Sequence, residues 1–249
     1  GAMLRRIRRN GGRVAGLLWY QGESEASADR AALYTDRMET LISEFRADVG
    51  DARCPVALAQ LSRVVHQAEN NDREWNALRD QQIGLPDRIP HLTVVPTIDL
   101  TLGDLIHLDA RSNIQLGRRM AYAMQVLREG PRAGQPPLTL KRVTWEPGWC
   151  QTHVLVEFDH VVDRLVARDR PAGFSVLYPD GAETAFDVTL EGSRVRIKST
   201  APPGEIERCR LYHGFGRNPY CNIRDGADRS LPAFGPVSIP GPRTLSPFV

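Results

Sequence analysis

The first half of the chain alternates short apolar runs with segments whose apolar residues recur every three or four positions. An unbroken apolar run is typical of a strand buried on both faces, as in a parallel sheet. VAGLLWY (14–20) is such a run, and the mainly apolar segments PVALAQL (55–61) and HLTVVPTIDL (91–100) predict a second and a third strand. Helical spacing follows each of them, over 27–50, 71–85 and 109–130. Strands that alternate with helices predict an α/β fold with parallel strands joined by right-handed crossovers.

The helical segments carry signals at their ends. Ser27 or Asp29 is a candidate N-cap of the first, and Gly50 is placed to close it. Asp72 is a candidate N-cap of the second. These signals predict one continuous helix over 27–50 and a second helix within 71–85 with Asp72 as its N-cap.

The pattern changes after Gly130. A proline- and glycine-rich linker, PRAGQPP (131–137), precedes short β-like runs separated by turn signals, and DVTLEGSRVRI (187–197) predicts a hairpin. The tail, LPAFGPVSIPGPRTLSP (231–247), is rich enough in proline to predict an extended wrap and no strand. We therefore predict an α/β domain over 1–133 and a small antiparallel β domain with an extended tail over 134–249.

Composition and charge limit the classes of binding partner that are expected for this chain. The chain of 249 residues has a formal net charge of +2 with its charges interleaved, so a nucleic-acid partner is not expected. No apolar run approaches the ~20 residues that span a bilayer, and no membrane partner is expected. No CxxC pair suggests zinc, although the last three cysteines could supply one disulfide: Cys150, Cys209 and Cys221. The N-terminal residues show no signal peptide, and the sequence reads as one that begins within a longer gene product.

The loop after the third apolar run contains Asp104-Leu105-Ile106-His107. An aspartate three residues before a histidine can hold the imidazole Nδ1–H and leave Nε2 free as a general base. A short DxxH motif is weak alone, and a helix-capping aspartate beside an unrelated surface histidine is the alternative. Asp109 competes with Asp104 for either role.

The first apolar run ends in Gln21-Gly22-Glu23-Ser24. The Gln21 amide offers two N–H donors and Gly22 lets the backbone approach a ligand, so together they could line an oxyanion site. Glu23 could hold the loop in shape. For Glu23 and Ser24 an ordinary helix start is the competing interpretation, and for Ser24 it is the preferred one.

Four blocks in this order resemble the sialate O-acetylesterase family of SGNH-type carbohydrate esterases: WYQGES (19–24), ALAQLS (57–62), WNALRDQQ (75–82) and IDL…DLIHLDARSNIQLGRRMAYA (98–123). The resemblance implies a flavodoxin-like SGNH-hydrolase portion followed by the β domain. It also implies an acetylated sugar as substrate, a sialic acid among the candidates, and no metal or organic cofactor. An extracytoplasmic location (periplasmic, secreted or lysosome-like) follows from the resemblance alone.

The family's machinery, carried over by position, makes His107 the general base and Asp104 its orienter. Gln21 becomes the oxyanion donor, with Gly22 and Glu23 shaping its loop. The family's nucleophile is a serine in a Gly-Gln-Ser-Asn type turn on a strand upstream of the WYQGES block, and this sequence contains no such turn.

Three explanations of the missing serine are open. It lies in an upstream portion outside this chain, which we favour; it comes from a separate subunit; or it is Ser24, on a GESEA turn that resembles the G-x-S-x-G elbow of α/β-hydrolases. A carbohydrate-binding module that has kept the fold without the chemistry is the rival function. Two further side chains are candidate substrate contacts, Arg79 for a carboxylate and His66 from its loop. Packing against the sheet is preferred for Arg79, and a plain surface-loop position is preferred for His66.

Overall fold

The structure is a computed structural model that describes residues 1–65, 71–130 and 132–241, and these residues form two compact units. The first unit is Gly1–Pro137 together with Gly216–Asn218. The second is Leu138–Phe215 with the described residues from Pro219 onward. His66 lies outside the described residues.

The first unit is a parallel sheet with helices on both faces. Its strands, in the order β1-β2-β3, are β1 (Leu17–Trp19), β2 (Val56–Ala59) and β3 (Leu92–Val95). Its helices are α1 (Ala2–Arg9), α2 (Ala28–Ala31), α3 (Tyr34–Val49), α4 (Asp72–Arg88) and α5 (Ala110–Glu129).

The central strand β2 divides the core of this unit into two layers. Val56 and Leu58 pack with the apolar faces of α3 and α4, whereas Ala57 and Ala59 pack with that of α5. Successive side chains of a strand point to opposite faces, so each layer takes alternate residues. Because β2 and β3 are buried throughout, the prediction of strands covered on both sides is confirmed for them.

Strand β1 differs from that prediction. It pairs with β2 on one side, and within the described residues it has no neighbour on the other. Leu18 is 57% exposed as a result. An unbroken apolar run therefore predicts a strand here but not its position at the edge of the sheet.

The predicted helix over 27–50 is divided in two. Helix α2 ends at Ala31, and α3 begins at Tyr34 after Leu33. Gly50 closes α3 in the left-handed conformation with φ of 71°, as expected. Asn71, and not Asp72, occupies the N-cap position of α4, and the Asp72 carboxylate instead accepts from the Arg217 amide at 2.9 Å.

The second unit consists of antiparallel sheets. The largest has the order β4-β5-β9-β8, and the others pair β12-β10-β7 and β11-β6. The strands are β4 (Thr139–Gly148), β5 (Gln151–Asp159), β6 (Leu165–Ala167), β7 (Phe174–Leu177), β8 (Ala185–Glu191), β9 (Arg194–Ser199), β10 (Arg210–His213), β11 (Ile223–Asp225) and β12 (Phe234–Ser238). The predicted fold class, parallel α/β followed by antiparallel β, is confirmed, and so is the hairpin of β8 and β9.

The expectation of a tail without strands is wrong where β12 pairs with β10. Proline lacks an N–H donor and is tolerated on an edge strand, which is where Pro236 lies. Residues 242–249 lie outside the described part of the chain. None of the four cysteines is in a disulfide, so the bridge considered from the sequence is not formed. No helix in the described ranges has the length and apolarity needed to cross a bilayer.

Candidate active site

The carboxyl ends of β1, β2 and β3 lie at one edge of the parallel sheet, where ligands of open α/β sheets bind. Three loops leave this edge, and they begin after Trp19, Ala59 and Val95. The loop after β1 carries Gln21–Ser24, and the loop after β3 carries Asp104 and His107.

Asp104 and His107 are hydrogen bonded through a tight turn. Asp104 Oδ1 accepts from the backbone N–H of Ile106 at 2.8 Å and of His107 at 2.7 Å. Its Oδ2 lies 2.7 Å from His107 Nδ1. A carboxylate only accepts, so the Nδ1 atom carries the proton and the Nε2 lone pair of the neutral ring is free.

The electrostatics of this pair follow from those contacts. The backbone N–H of His107, then that of Ile106, and then the imidazole lower the pKa of Asp104 to about 2. The hydrogen bond to Asp104 and its negative charge raise the pKa of His107. Both side chains are open to solvent, with 76% of the His107 side chain and 56% of the Asp104 side chain exposed. The imidazole is therefore oriented and accessible.

Asp109 is the helix-capping aspartate, the alternative role considered from the sequence. Its Oδ1 accepts from the Ser112 N–H at 2.6 Å, which makes it the N-cap of α5. Its Oδ2 accepts from the Thr101 hydroxyl at 2.5 Å. Asp104 contacts the imidazole and Asp109 begins the helix, so the two carboxylates do not compete.

The loop that carries His107 is fixed by backbone and ionic contacts. The Gly103 N–H donates to the His107 carbonyl at 2.9 Å, and the Val65 N–H donates to the Leu105 carbonyl at 2.8 Å. At the start of the loop the buried Asp99 carboxylate receives two hydrogen bonds from Arg119 of α5, at 2.7 and 2.8 Å. The hydrogen bond between Val65 and Leu105 holds the tip of the loop against the segment that leaves β2, and the Arg119 pair fixes the start of the loop on α5.

The loop after β1 is shaped by its own carboxylate and by its neighbours. Gly22 has φ of 150°, and its N–H donates to Glu23 Oε2 at 2.9 Å. A Cβ at Gly22 would lie 3.1 Å from Leu61 Cδ1 and 3.2 Å from Gln82 Nε2. Glycine is therefore required where this loop passes close to the segment after β2 and to α4.

The two loops are electrostatically coupled. The negative charge of Glu23 contributes to the raised pKa of His107, after the larger effects of Asp104. Within the described ranges the Gln21 side-chain amide makes no hydrogen bond, whereas the Gln21 carbonyl is approached by the Tyr34 hydroxyl at 3.4 Å. The structure thus joins Asp104 and His107 directly, and it places Gln21, Gly22 and Glu23 on a separate loop whose Glu23 charge acts on His107.

Ser24 lies in the middle of a short turn. It lies in a single 3-10 turn over Glu23–Glu25, and its carbonyl accepts from Arg30 at 2.9 Å. Among the described residues, its hydroxyl is hydrogen bonded neither to His107 nor to another base. The preferred interpretation, a helix start capped by serine, is matched only by the position of Ser24 in a helical turn, because the N-cap position is Gly22 and no side chain caps the turn.

Arg79 is unavailable to a substrate. Only 1% of the residue is exposed, and its guanidinium donates to the carbonyls of Ser62 at 2.7 Å and Gly216 at 2.6 Å. It also lies 5.4 Å from the centre of the Trp75 ring. Its function is to hold the segment after β2 on α4.

Gln82 and Tyr34 lie beneath the loop after β1, and neither was expected from the sequence to contribute to the site. Gln82 is fully buried, its Oε1 accepts from the Leu61 N–H at 2.8 Å, and its Nε2 donates to the Tyr34 hydroxyl at 2.9 Å. A signal exists in the spacing, because Gln82 follows Trp75 by seven positions and Leu78 by four. An amide on the buried stripe of a helix requires polar partners.

No group of three or more histidine, cysteine, aspartate or glutamate side chains within the described residues is arranged to hold a metal ion. The site described above consists of a carboxylate–imidazole pair, a neighbouring carboxylate and an amide.

Comparison with known proteins identifies the family that the four sequence blocks resemble. Residues 1–126 match the family described as carbohydrate esterase, sialic acid-specific acetylesterase. A probable carbohydrate esterase of Arabidopsis thaliana is 28% identical over 118 residues, which cover 47% of this chain and 42% of the relative.

The solved structure of a carbohydrate acetylesterase from Xanthomonas citri superimposes with a TM-score of 0.72 at 23% identity, over 89% of this chain and 50% of that one. At this identity the likeness establishes the fold. The chain spans about half the length of the relatives that it matches. Because the family match covers half of the chain and includes the loops of the sheet edge, the chain belongs to the sialic acid-specific acetylesterase family of carbohydrate esterases.

Proposed function

We propose that this chain supplies the general base and the oxyanion donor of an esterase that removes acetyl groups from sugars. The observation that carries the proposal is the 2.7 Å contact between Asp104 Oδ2 and His107 Nδ1, in a turn that also fixes Oδ1 with two backbone amides. This arrangement sets the tautomer in which Nε2 accepts a proton.

The proposed reaction proceeds through an acetyl-enzyme. A serine hydroxyl attacks the ester carbonyl while His107 Nε2 accepts its proton, and Asp104 stabilises the resulting imidazolium. The Gln21 amide donates to the oxyanion of the tetrahedral intermediate. His107 then returns the proton to the departing sugar oxygen, and a water molecule activated by the same imidazole releases acetate.

We infer that the serine lies outside residues 1–249, in an upstream portion or a separate subunit. The sequence lacks the family's Gly-Gln-Ser-Asn turn, and the Ser24 hydroxyl is not hydrogen bonded to His107. Residues 1–249 alone are therefore expected to be inactive.

The test is the hydrolysis of p-nitrophenyl acetate by residues 1–249, with Ser24→Ala as the matched variant. We expect no turnover above background in either protein, and no acetyl group on Ser24 of the unmodified chain by mass spectrometry. A burst of p-nitrophenol with one acetyl group on Ser24, absent from the Ser24→Ala variant, would show that Ser24 is the nucleophile.

A carbohydrate-binding module is the second candidate, and the exposed imidazole edge without a bonded serine favours it for the isolated chain. Binding of an O-acetylated sialic acid without hydrolysis, measured by calorimetry, fits both this candidate and the proposed esterase part. The two are separated by adding the nucleophile-bearing segment, because only the esterase then releases acetate.

A further inference from the structure

The Gln82 side chain on α4 lies directly beneath the loops that leave β1 and β2. Its Oε1 accepts from the Leu61 N–H at 2.8 Å, and its Nε2 donates to the Tyr34 hydroxyl at 2.9 Å and to the Gln21 carbonyl at 3.5 Å. We propose that Gln82 is a positioning residue that sets the Gln21–Gly22 backbone, and with it the oxyanion donor; this inference rests on the proposed function.

The position requires a side chain that both accepts and donates. The carbonyl oxygen of the amide satisfies the Leu61 N–H in the loop after β2, and its NH₂ group serves the Tyr34 hydroxyl and the Gln21 carbonyl on the side of β1. Gln82 has no exposed surface, so water does not replace these contacts. Gln82 therefore connects the loops after β1 and β2 to helix α4 by hydrogen bonds.

Gly22 adds an independent observation. A Cβ there would lie 3.2 Å from Gln82 Nε2 and 3.1 Å from Leu61 Cδ1. The backbone of the loop therefore packs directly on the Gln82 amide, with no side chain between them. A displacement of that amide moves Gly22 and the adjacent Gln21 with it.

Tyr34 completes the support. Its hydroxyl accepts from Gln82 Nε2 and donates to the Gln21 carbonyl at 3.4 Å. Burial, followed by the effects of nearby charges, raises the pKa of Tyr34 to about 12, so the hydroxyl keeps its proton at neutral pH. The Gln21 carbonyl thus faces two donors, the Gln82 amide and the Tyr34 hydroxyl. The hydroxyl is in turn held by the Gln82 amide.

The experiment compares Gln82→Glu with a control variant, Gln81→Glu, one position earlier on α4. Glutamate keeps the shape at position 82 and still accepts from Leu61, but when ionised it cannot donate to the Gln21 carbonyl, and it draws the Tyr34 hydroxyl toward itself. Gln81 instead contacts Thr35 and the Ala31 carbonyl, away from the loop.

The first readout is the amide ¹H–¹⁵N resonances of Gln21 and Gly22 as a function of pH. In Gln82→Glu they should depart from their wild-type positions as the new carboxyl ionises, and return when it is protonated and can donate again. In Gln81→Glu they should stay in place. Resonances of Gln21 and Gly22 that match wild type at every pH in Gln82→Glu would overturn the proposal.

Tyr34→Phe provides a second test if Gln82→Glu does not fold. It removes one hydroxyl that donates to the Gln21 carbonyl and accepts from Gln82. The Gln21 and Gly22 resonances should shift, and so should the Gln82 side-chain NH₂. Unchanged positions for all three would contradict the proposal.

The second readout is catalysis in the enzyme that includes its nucleophile. Gln82→Glu should lower kcat about tenfold or more with an unchanged KM, because a small misplacement of the oxyanion donor affects the transition state more than substrate binding. The kcat ratio of variant to wild type should rise as the pH falls, and Gln81→Glu should match wild type. Absence of esterase activity in every form would refute the proposed function and leave the resonance test of Gln82 intact.

Discussion

At the scale of single residues, the Asp104 carboxylate determines the state of the His107 ring. Three N–H groups within one turn point at this carboxylate, two from the backbone and one from the imidazole. They stabilise its charged form, and that charge stabilises the imidazolium. The hydrogen bond from Nδ1 to Asp104 therefore fixes the orientation of the His107 ring although the ring is exposed to solvent.

The pH dependence follows from the raised pKa of His107. The base must be neutral to accept a proton, so activity should rise with pH as the ring deprotonates, with a midpoint above the ordinary value of ~6.5. Asp104→Asn should move this limb of the pH–rate profile to lower pH and lower kcat at neutral pH. A limb that does not move would mean that Asp104 does not act on the base.

Asp109→Ala is the matched comparison for Asp104→Asn. It removes the N-cap of α5 and should lower the midpoint of thermal unfolding. The contacts between Asp104 and His107 remain, so the pKa of His107 should stay raised. A fall in that pKa in Asp109→Ala would show that the two carboxylates share one function.

The His107 and Gln21 roles predict an order of effects in the enzyme with its nucleophile. Loss of one oxyanion donor in Gln21→Ala should lower kcat by on the order of 10²–10³-fold. His107→Ala removes the base for both acylation and deacylation and should lower kcat further. Steady-state kinetics on an acetylated sugar measure both changes, and equally small effects would refute the assignments.

At the scale of elements, the helices do more than cover the sheet. Helix α4 presents Arg79 and Gln82 to the loop after β2, and α5 presents Arg119 to the loop after β3. Each buried polar side chain reaches across from a helix to the start of a loop. The elements are therefore fixed at the edge where the candidate site lies.

Among these contacts between a helix and a loop, the buried ion pair of Asp99 and Arg119 should contribute most to the free energy of unfolding. Arg119→Met leaves the fully buried Asp99 carboxylate without its bidentate partner, and we expect a loss of about 3–5 kcal/mol in the free energy of unfolding. Urea unfolding measures it. Arg88→Met removes an exposed ion pair with Glu39 and should cost about 0–1 kcal/mol; a similar loss in both variants would contradict this view.

Sequence patterns predict most of these elements. The mainly apolar strands β2 and β3 are recovered because burial on both faces leaves a nearly continuous apolar run, and α5 is recovered from its helical spacing. The pattern fails at Leu18, where the exposure depends on the position of β1 in the sheet, and at Leu33, where one helix becomes two. Both failures arise from packing that local periodicity does not contain.

In the candidate site, too, contacts between residues close in sequence are predictable and contacts between distant residues are not. The DxxH spacing predicts the contact between Asp104 and His107 because three residues form a single turn. Gln82 contacts Gln21 from 61 positions away, and no local motif encodes that approach. Short-range geometry is therefore predictable here, and the support beneath the loops is not.

At the scale of the whole molecule, the chain combines an α/β unit that carries the oriented His107 imidazole with a unit of antiparallel sheets. It spans about half of each relative that it matches, and the family's serine turn is absent from its sequence. Mixing this chain with a polypeptide that carries the serine should restore acetate release, and His107→Ala should abolish that restoration.

The most direct measurement is the ¹⁵N NMR titration of the His107 ring in residues 1–249. The account predicts that the neutral ring is protonated at Nδ1, with Nε2 bare, and that its pKa lies above the ordinary value and falls in Asp104→Asn. A neutral ring protonated at Nε2, or a pKa that is the same in wild type and Asp104→Asn, would contradict it.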